Sequence, residues 1–410
     1  MPTIQLNNFG GIMPKIHPTL LPQTGATKAH NCVLKNGKLV PLRMPLLEEI
    51  DTISYDIVNF NEAKTIFKWD NDKGSQFVLF QNIIDCVLAM FVENNRYMFY
   101  IAGQTNIGKN HHDICVCYQS DDGNLKTMSL VKPPPPDLEI EREGEEIPED
   151  EENIRYTFFF QTWVDELGYE SEVSNPSKEI EYVDGDSISI SEWDTTGGDL
   201  NSFKDAKKRR IYKVITGSET GQIQFIYEQE INDEGVFPQI SINVKDEDAG
   251  EIITPINSVH DKVNGIVALP GFYAMWCKCT PKTVRFSENA PTNFPEEYAY
   301  EVEYDIVGLA AIGNVVYVLT TGSPFLISGT SPDAMIVTKI ASPQPCISRR
   351  TICIVDNIVF YVSYDGICSL SDGKVTVITK DFFSKDEWKE VISDDMVMCG
   401  YDNKLLLWTN

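Results

Sequence analysis

Short apolar segments alternate with turn residues along most of the chain, and several of them recur at a regular spacing. Residues 308–320 and 353–363 have the same pattern: an apolar strand, a turn, and a second strand rich in Val, Tyr and Ile. Because Asn and Gly tolerate positive φ, each copy predicts a β-hairpin. The copies align on the turn residues Gly271, Asn314, Asn357 and Asn403.

The spacing of these turns, 43 to 46 residues, indicates a repeated sheet unit. Looser copies precede it around positions 37, 74 and 95. A period of about 40 to 50 residues with several short strands per unit is typical of a β-propeller. We therefore expect an all-β protein, a β-propeller of six or seven blades, in which only residues 384–392 have a helical pattern.

The repeat is interrupted in the middle of the chain. Four prolines at 133–136 cannot enter a sheet ladder, and the acidic residues that follow favour a solvated connector. The short alternating strands after them lack the repeat and match the size of an immunoglobulin-like sandwich. The expected organisation is an extended N-terminal arm leading into the first hairpin (1–45), propeller (46–132), a Pro-rich and acidic linker (133–153), an inserted fibronectin-like β-sandwich (154–245), and propeller again (246–410).

Charge and composition argue against several classes of protein. The net charge of −27 repels nucleic acid phosphate, which argues against a DNA-binding module but not against a surface that DNA slides past. The sequence shows neither a secretion signal nor an apolar run of 18 residues, so we expect a soluble protein made in a cytosol. The ten cysteines are too dilute for a disulfide scaffold, and we expect them to be reduced.

The candidate metal ligands are more simply interpreted as strand cysteines beside a polar loop and, in the acidic run, as a solvated loop. His111, Cys115, Cys117, Cys277 and Cys279 are zinc-binding residue types, but a C-x-C pair on a strand points both thiols to one face and does not close a zinc knuckle. The acidic run 139–152 lacks the spacing of a calcium loop. We predict no metal and no cofactor.

A basic cluster contrasts with the acidic background. It is a candidate contact to a neighbouring subunit or to phosphate, and the alternative is a strand with solvated side chains. Arg349 and Arg350 have the same two interpretations. The cluster consists of Lys207, Lys208, Arg209 and Arg210.

Catalytic motifs are missing from the sequence. It contains no G-x-S-x-G, no P-loop and no H-E-x-x-H. Residues 363–370 and 120–127 begin like the Asp boxes of propeller glycosidases but lack the spaced Gly and the Trp, so Asp365 and Asp122 are expected in hairpin turns. We predict that the protein is not an enzyme; the alternative is a glycan-binding or glycan-cleaving β-propeller.

Five collinear segments resemble the propeller proteins that form the tail nozzle or tail hub of short-tailed bacteriophages. The first is FGGIMPKIHPTLLPQTGATKAHNCVLKNGKLVPLR at 9–43. The second is YTFFFQTWVDELGYESEVSNPS at 156–177, with KKRRIYKVITG at 207–217, similar to the fibronectin-type insert of the family. The remaining segments begin at residues 284, 306 and 339.

The resemblance implies a structural virion protein, made in the host cytoplasm and located in the tail. It implies a homohexameric ring below the tail adaptor that continues the DNA channel, helps to retain the genome and supports fibres. No catalytic residues accompany the family. Relatives often continue beyond a strand like KLLLWTN at 404–410, so the last blade is expected to close with the N-terminal segment or with a second polypeptide. We expect acidic side chains to line the passage for DNA.

Overall fold

The structure is a computed structural model of the 410-residue chain. It describes residues 10–28, 30, 32–35, 38–41, 52–54, 62–71, 73–90, 97–103, 114–120, 123–147, 153–197, 203–215, 222–253, 262–288, 291–401 and 404–409.

The chain is all-β. The N-terminal part contains β1 (Gly11–Ile12) paired in parallel with β2 (Gly25–Ala26), followed by the hairpin of β3 (Cys32–Lys35) and β4 (Lys38–Pro41). A three-stranded sheet comes next, with β5 (Thr52–Ser54), β6 (Thr65–Asn71) and β7 (Gly74–Phe80) in the order β5-β7-β6.

Four antiparallel sheets of four strands each contain most of the repeat. The first is β8 (Ile84–Leu88), β9 (Met98–Gly103), β10 (Ile114–Gln119) and β11 (Leu125–Ser129). The second is β22 (Val263–Leu269), β23 (Phe272–Cys277), β24 (Thr283–Phe286) and β25 (Ala299–Glu301). The third is β26 (Ile306–Ile312), β27 (Val315–Thr320), β28 (Phe325–Ser328) and β29 (Ile336–Lys339). The fourth is β30 (Cys353–Val355), β31 (Ile358–Ser363), β32 (Gly366–Ser371) and β33 (Lys374–Val377).

The last elements are helix α1 (Lys385–Val391) and the hairpin of β34 (Val397–Tyr401) and β35 (Lys404–Trp408). The predicted helical turn is confirmed, and Ser384 with Glu387 forms a capping box at its N-terminus. Single 3₁₀ turns occur at Pro18–Leu20, Asp246–Asp248, Glu296–Tyr298, Pro332–Ala334 and Arg349–Thr351. No helix in the described ranges is long and apolar enough to cross a membrane.

Successive sheets stack face to face, because their central strands are apolar on both faces. In β27, Val316 and Val318 pack towards the sheet of β22–β25, whereas Tyr317 and Leu319 pack towards the sheet of β30–β33. Similar clusters join β5–β7 to β8–β11, β8–β11 to β22–β25, and β30–β33 to α1 and β34–β35. The first strand β22 also lies against the first strands β8 and β26 of the neighbouring sheets. Burial of this apolar surface is the main stabilising term for such a series.

The turns that defined the repeat are hairpin turns as expected, and in the turn at Asn314 the positive φ, 55°, belongs to Gly313. Residues 271, 314 and 357 are each the second residue of a two-residue hairpin turn, between Leu269 and Phe272 in the first case. Asp356 and Asn357 have φ of 49° and 58°, the left-handed region that a type I′ turn requires at both positions. Asn403 lies outside the described residues.

The strands between positions 140 and 243 pair with one another, and we call them the inserted strands because they lie in sequence between the sheets of β8–β11 and β22–β25. They are β12 (Ile140–Arg142), β13 (Arg155–Thr157), β14 (Phe159–Asp165), β15 (Ile180–Tyr182), β16 (Ser187–Ile190), β17 (Trp193–Asp194), β18 (Ala206–Ile215), β19 (Gln222–Glu230), β20 (Val236–Phe237) and β21 (Ile240–Asn243). The sheets are β12-β16-β21, β14-β18-β19, β13-β15 and β17-β20. A core with Ile188 and Ile190 on one side and Phe159 and Ile211 on the other lies between the larger two.

One boundary expected from the sequence is corrected. Segment 133–153 was predicted as a linker, but Ile140–Arg142 pairs with β16, and Leu138 and Ile140 are buried in the core of the inserted strands. The sequence did not predict this strand, because its apolar pattern consists only of Leu138 and Ile140 among acidic residues. The expected N-terminal arm is described from residue 10, and its Lys15 ammonium donates to the carbonyls of Lys380 and Phe383.

Replacing Asn357 tests the turn chemistry. Asn357→Ala should lower the free energy of unfolding by about 1 kcal/mol, because a β-carbon is strained at positive φ and alanine lacks the local hydrogen bonding of asparagine. Asn357→Gly is the matched control and should be nearly neutral in the same urea titration. Equal losses in both variants would contradict the assigned turn.

Candidate functional site

A buried ion pair joins the inserted strands to the first part of the chain. Lys132 Nζ lies 2.6 Å from Asp165 Oδ2, and the exposed fractions of the two side chains are 2% and 0%. The ammonium also donates to the Ser129 carbonyl at 3.3 Å and lies 4.8 Å from the centre of the Trp163 ring. Burial of a charged group is strongly unfavourable unless the group is paired, so each of these two side chains fixes the position of the other.

Asp165 also shapes the turn that follows it. Its Oδ1 accepts hydrogen bonds from the backbone N–H groups of Leu167 at 2.8 Å and Tyr169 at 3.0 Å. Gly168 has a φ of 89°, which closes the turn in a conformation that glycine adopts without strain. We call residues 165–169 the wedge loop.

The wedge loop packs between two sheets of the repeat. Leu167 and Tyr169 belong to the cluster that β8–β11 and β22–β25 share. The Tyr169 hydroxyl lies 2.8 Å from the Tyr100 hydroxyl, and the Tyr118 hydroxyl donates to Glu166. The inserted strands are thus anchored in the core of the repeat by apolar and polar contacts together.

The proline run adds a second connection. The Trp163 indole N–H donates to the Pro133 carbonyl at 3.0 Å, and the Gln161 side-chain amide donates to the Pro136 carbonyl at 2.7 Å. Prolines have no backbone N–H to satisfy, so their carbonyls serve as acceptors along β14 without leaving buried donors unpaired. The run therefore lies against β14 and is not a free spacer.

Three serines cover the edge of β14. Each serine donates its backbone N–H to a β14 carbonyl at 2.9 Å, and its hydroxyl oxygen accepts the N–H of that same β14 residue at 3.0 to 3.1 Å. The hydroxyls donate in turn to the carbonyl of the following residue. The S-x-x-S-x-x-S pattern thus replaces a neighbouring strand and protects the edge. The pairs are Ser171 with Trp163, Ser174 with Gln161, and Ser177 with Phe159.

A second ion pair joins the first strand β8 to the 3₁₀ turn that precedes β30. Arg349 Nη2 lies 2.6 Å from Asp85 Oδ1 on β8, and Asp85 Oδ2 accepts the backbone N–H of Ile266 on β22 at 3.2 Å. Burial raises the pKa of Asp85, an effect that the charge of Arg349 and its hydrogen bond partly offset. This contact joins β8 and β22 to the 3₁₀ turn that precedes β30.

Two glycines at equivalent positions make room for this contact. Gly265 and Gly308 each follow a register shift, in β22 and β26. A β-carbon on Gly265 would lie 2.6 Å from Asp85 Oδ2, and one on Gly308 would lie 2.6 Å from Ile352 Cδ1. Positions 43 residues apart in the repeat therefore share a need for a residue without a side chain, as well as the place of the turn that follows.

The same first strands line an open apolar cavity of about 340 Å³. Its walls are aliphatic side chains with one thiol and present neither an aromatic ring nor a carboxylate. It is lined by Val87, Val267, Ala268, Leu309, Ala310, Ala311, Ile352, Cys353 and Ile354.

The basic cluster does not form one positive surface. Arg209 is 1% exposed and donates to Gln229 Oε1 from Nε at 3.0 Å, so it is unable to contact phosphate or another subunit. Lys208 pairs with Glu228 at 2.6 Å, and Arg210 pairs with Glu228 and with Glu170 at 2.7 Å. The prediction of an external contact is wrong for Arg209, and of the four residues only Lys207 is exposed.

A cleft of about 550 Å³ adjoins these pairs. Glu170 accepts hydrogen bonds from Thr162 and Tyr212 besides its pair with Arg210. Burial, and next the charge of Glu170, raise the pKa of Tyr212. Glu170 and Glu228, two of the three glutamates that line the cleft, are therefore held by internal partners.

The candidate zinc residues do not converge. Cys115 and Cys117 are buried on one face of β10 beside Phe99 and Ile101, as expected for a C-x-C pair on a strand. Cys277 is buried in another cluster and Cys279 is exposed. The described residues contain no group of three or more metal-ligating side chains, and His111 lies outside them. All ten cysteines are free thiols.

The Asp-box-like segment 363–370 forms the turn between β31 and β32. Ser363 pairs with Gly366, and Asp365 accepts from the Gln344 side chain at 2.8 Å and pairs with Lys385 at 3.0 Å. This confirms the predicted hairpin turn. Asp122 lies outside the described residues.

Comparisons with known proteins identify neither a family nor a function for the chain. No family model matches the chain, and no curated protein matches it. Among solved structures, it is similar to Hsv2 of Kluyvelomyces marxianus, with a TM-score of 0.23 and 10% sequence identity, over 54% of each chain. The match spans about half the length of that protein, and a similarity this low supports no conclusion about function.

Sequence analysis identified neither ion pair as a site. Lys132 and Asp165 are 33 positions apart, and Asp85 and Arg349 are 264 apart. The only local signal was a charged residue inside or beside an apolar strand, which occurs often in this acidic chain.

A double-mutant cycle tests the buried pair. Lys132→Met and Asp165→Asn should each lower the free energy of unfolding by about 3–5 kcal/mol, because each leaves one buried charge without its partner. The double variant should lose clearly less than the sum, since neither charge remains. Urea unfolding of the four proteins measures the coupling, and additive losses would show that the two side chains do not interact.

Gly265→Ala tests the crossing ion pair. The methyl group would displace the Asp85 carboxylate or the Trp276 indole, whose Nε1 would lie 2.7 Å away, and should lower the unfolding free energy by about 1–3 kcal/mol. The control is Gly197→Ala, where the nearest atom is 3.9 Å away. If thermal unfolding showed the two variants equally stable, the close packing at Gly265 would be refuted.

Proposed function

We propose that the protein is a structural subunit of the tail of a short-tailed bacteriophage, a ring-forming nozzle or hub protein. In this proposal the stacked sheets form a β-propeller of six or seven blades, interrupted by a fibronectin-like β-sandwich. Support for the propeller comes from the six stacked sheets and from the contacts of β22 with β8 and β26.

The observation that carries the functional proposal is the use of polar residues as internal links. The motifs that resemble the tail proteins include the serine run 171–177 and the strand that contains Arg209, and in this chain both stabilise the inserted strands. The two buried or half-buried ion pairs join parts of the chain that are distant in sequence. Such links favour a rigid part of a large assembly over a reactive pocket.

The remaining parts of the proposal follow the resemblance. Six copies form a closed ring through a heterologous interface, below the adaptor and in contact with fibres. Genomic DNA passes through the ring without sequence-specific binding, and an acidic lining keeps the DNA from adhering during ejection. The protein acts in the virion tail after synthesis in the host cytoplasm.

The alternative is a glycan-binding or glycan-cleaving propeller. Sugar sites need exposed aromatic rings and, for cleavage, a pair of carboxylates at a defined separation. The cavity between the first strands is aliphatic, and Glu170 and Glu228 are both paired with Arg210. These observations favour the structural proposal.

Mass measurement tests the ring directly. Native mass spectrometry and electron microscopy of the purified protein, alone and with virion neck components, should show closed rings of six copies. A monomer that never forms rings with those components would contradict the proposal. A ring map with a lumen lined by Lys and Arg would contradict the acidic passage alone.

A further inference from the structure

The buried pair of Lys132 and Asp165 is arranged as two reactants as well as two charges. Lys132 Nζ lies 2.6 Å from Asp165 Oδ2, and the side chains are 2% and 0% exposed. The contact is short, yet it lacks the geometry of a hydrogen bond, and no other described residue donates to Oδ2. Since a C–O bond is about 1.2 Å long, Nζ lies no more than about 3.8 Å from the carboxyl carbon. This is close to the separation from which oriented groups react.

One proton transfer within the pair generates the reactive forms of both groups. The site holds the two charges away from solvent, with the Trp163 ring centre 4.8 Å from Nζ. Transfer of a proton from Nζ to Oδ2 replaces two buried charges with a neutral amine and a carboxylic acid. An amine and a carboxylic acid condense to an amide with loss of water, and exclusion of solvent from the site opposes the reverse hydrolysis.

The wedge loop supplies donors for the intermediate of this reaction. Asp165 Oδ1 accepts the backbone N–H groups of Leu167 at 2.8 Å and Tyr169 at 3.0 Å. Attack of the amine on Cγ places negative charge on one carboxyl oxygen, and two converging N–H donors stabilise such an oxyanion. Oδ2 has no such donors, so it is the oxygen that leaves. The loop therefore gives the two oxygens of Asp165 different roles.

We propose that Lys132 and Asp165 condense to an intramolecular isopeptide bond after the chain folds. One proton passes from Nζ to Oδ2, and the lone pair of the amine forms the bond to Cγ. A second proton then passes from Nζ to Oδ2, the Cγ–Oδ2 bond breaks, and Oδ2 departs as water. The nitrogen keeps one of its three hydrogens, and no oxidant or cofactor takes part. The ion pair is the precursor, present in each chain until the two groups condense.

The bond ties the inserted strands covalently to the first repeated sheets. Lys132 follows β11 and Asp165 ends β14, so the link closes a loop that contains the proline run, β12 and β13. Closing such a loop restricts the unfolded chain, as a disulfide does, but without the need for an oxidising compartment. This inference is independent of the tail function, since the reaction needs only one folded chain.

Intact-mass spectrometry of the full chain under denaturing conditions tests the bond. Protein that has folded should be about 18 Da lighter than its sequence, the mass of one water. A protease digest of the same sample should yield one branched peptide that joins Lys132 to Asp165. Lys132→Arg is the matched control and should have its full sequence mass, because a guanidinium keeps the positive charge and stays protonated, so it does not attack the carboxyl group.

Full sequence mass in the folded, unaltered protein after prolonged incubation would overturn the proposal. A loss of about 18 Da that persists in Lys132→Arg would overturn it too, because Asp–Gly steps such as 184–185 and 365–366 lose the same water when they cyclise to succinimides. The branched peptide is sought in the unaltered protein, so its absence counts against the bond even if Lys132→Arg fails to fold.

Discussion

Asp165 constrains the middle of the molecule more than any other residue. A carboxylate without exposed surface requires a cation and hydrogen-bond donors, and Lys132 and the N–H groups of Leu167 and Tyr169 provide them. Lys132 comes directly before the proline run, so the pair fixes where the chain leaves the first repeated sheets. The same carboxylate folds the wedge loop, which places Leu167 in the core between two sheets. This charge, together with the apolar contacts of the wedge loop and the hydrogen bonds to the proline run, positions the inserted strands against the repeat.

The repeated sheets are held together mainly by a different interaction. They stack through apolar faces, and such contacts determine which sheets are neighbours without fixing their rotation. The Asp85 carboxylate adds a directional contact, since it binds the Ile266 N–H of β22 and the Arg349 side chain from the 3₁₀ turn before β30. Gly265 and Gly308 recur because larger residues would occupy the space beside these first strands. Stacking and one directional polar contact together give the sheets a defined arrangement.

Sequence patterns predicted the features that depend on a few adjacent residues. The turns at Gly271, Asn314 and Asn357 and the capped helix were predictable, because φ preferences and capping are local. Strand β12 was missed because charged residues surround its single apolar pair. The basic cluster was misread because strand residues alternate between faces, which buried Arg209 while Lys208 and Arg210 met carboxylates. The ion pairs were unpredictable, since each depends on tertiary contacts between distant positions.

The central claim is that the wedge loop makes the inserted strands and the repeat one rigid body. Double electron–electron resonance tests it, with spin labels on unnatural amino acids at the exposed positions Glu179 and Lys374. The account predicts one narrow distance distribution, which broadens when Asp165→Asn removes the charge that Lys132 pairs with. A broad distribution in the unaltered protein would contradict it, because the inserted strands would then move independently of the sheets.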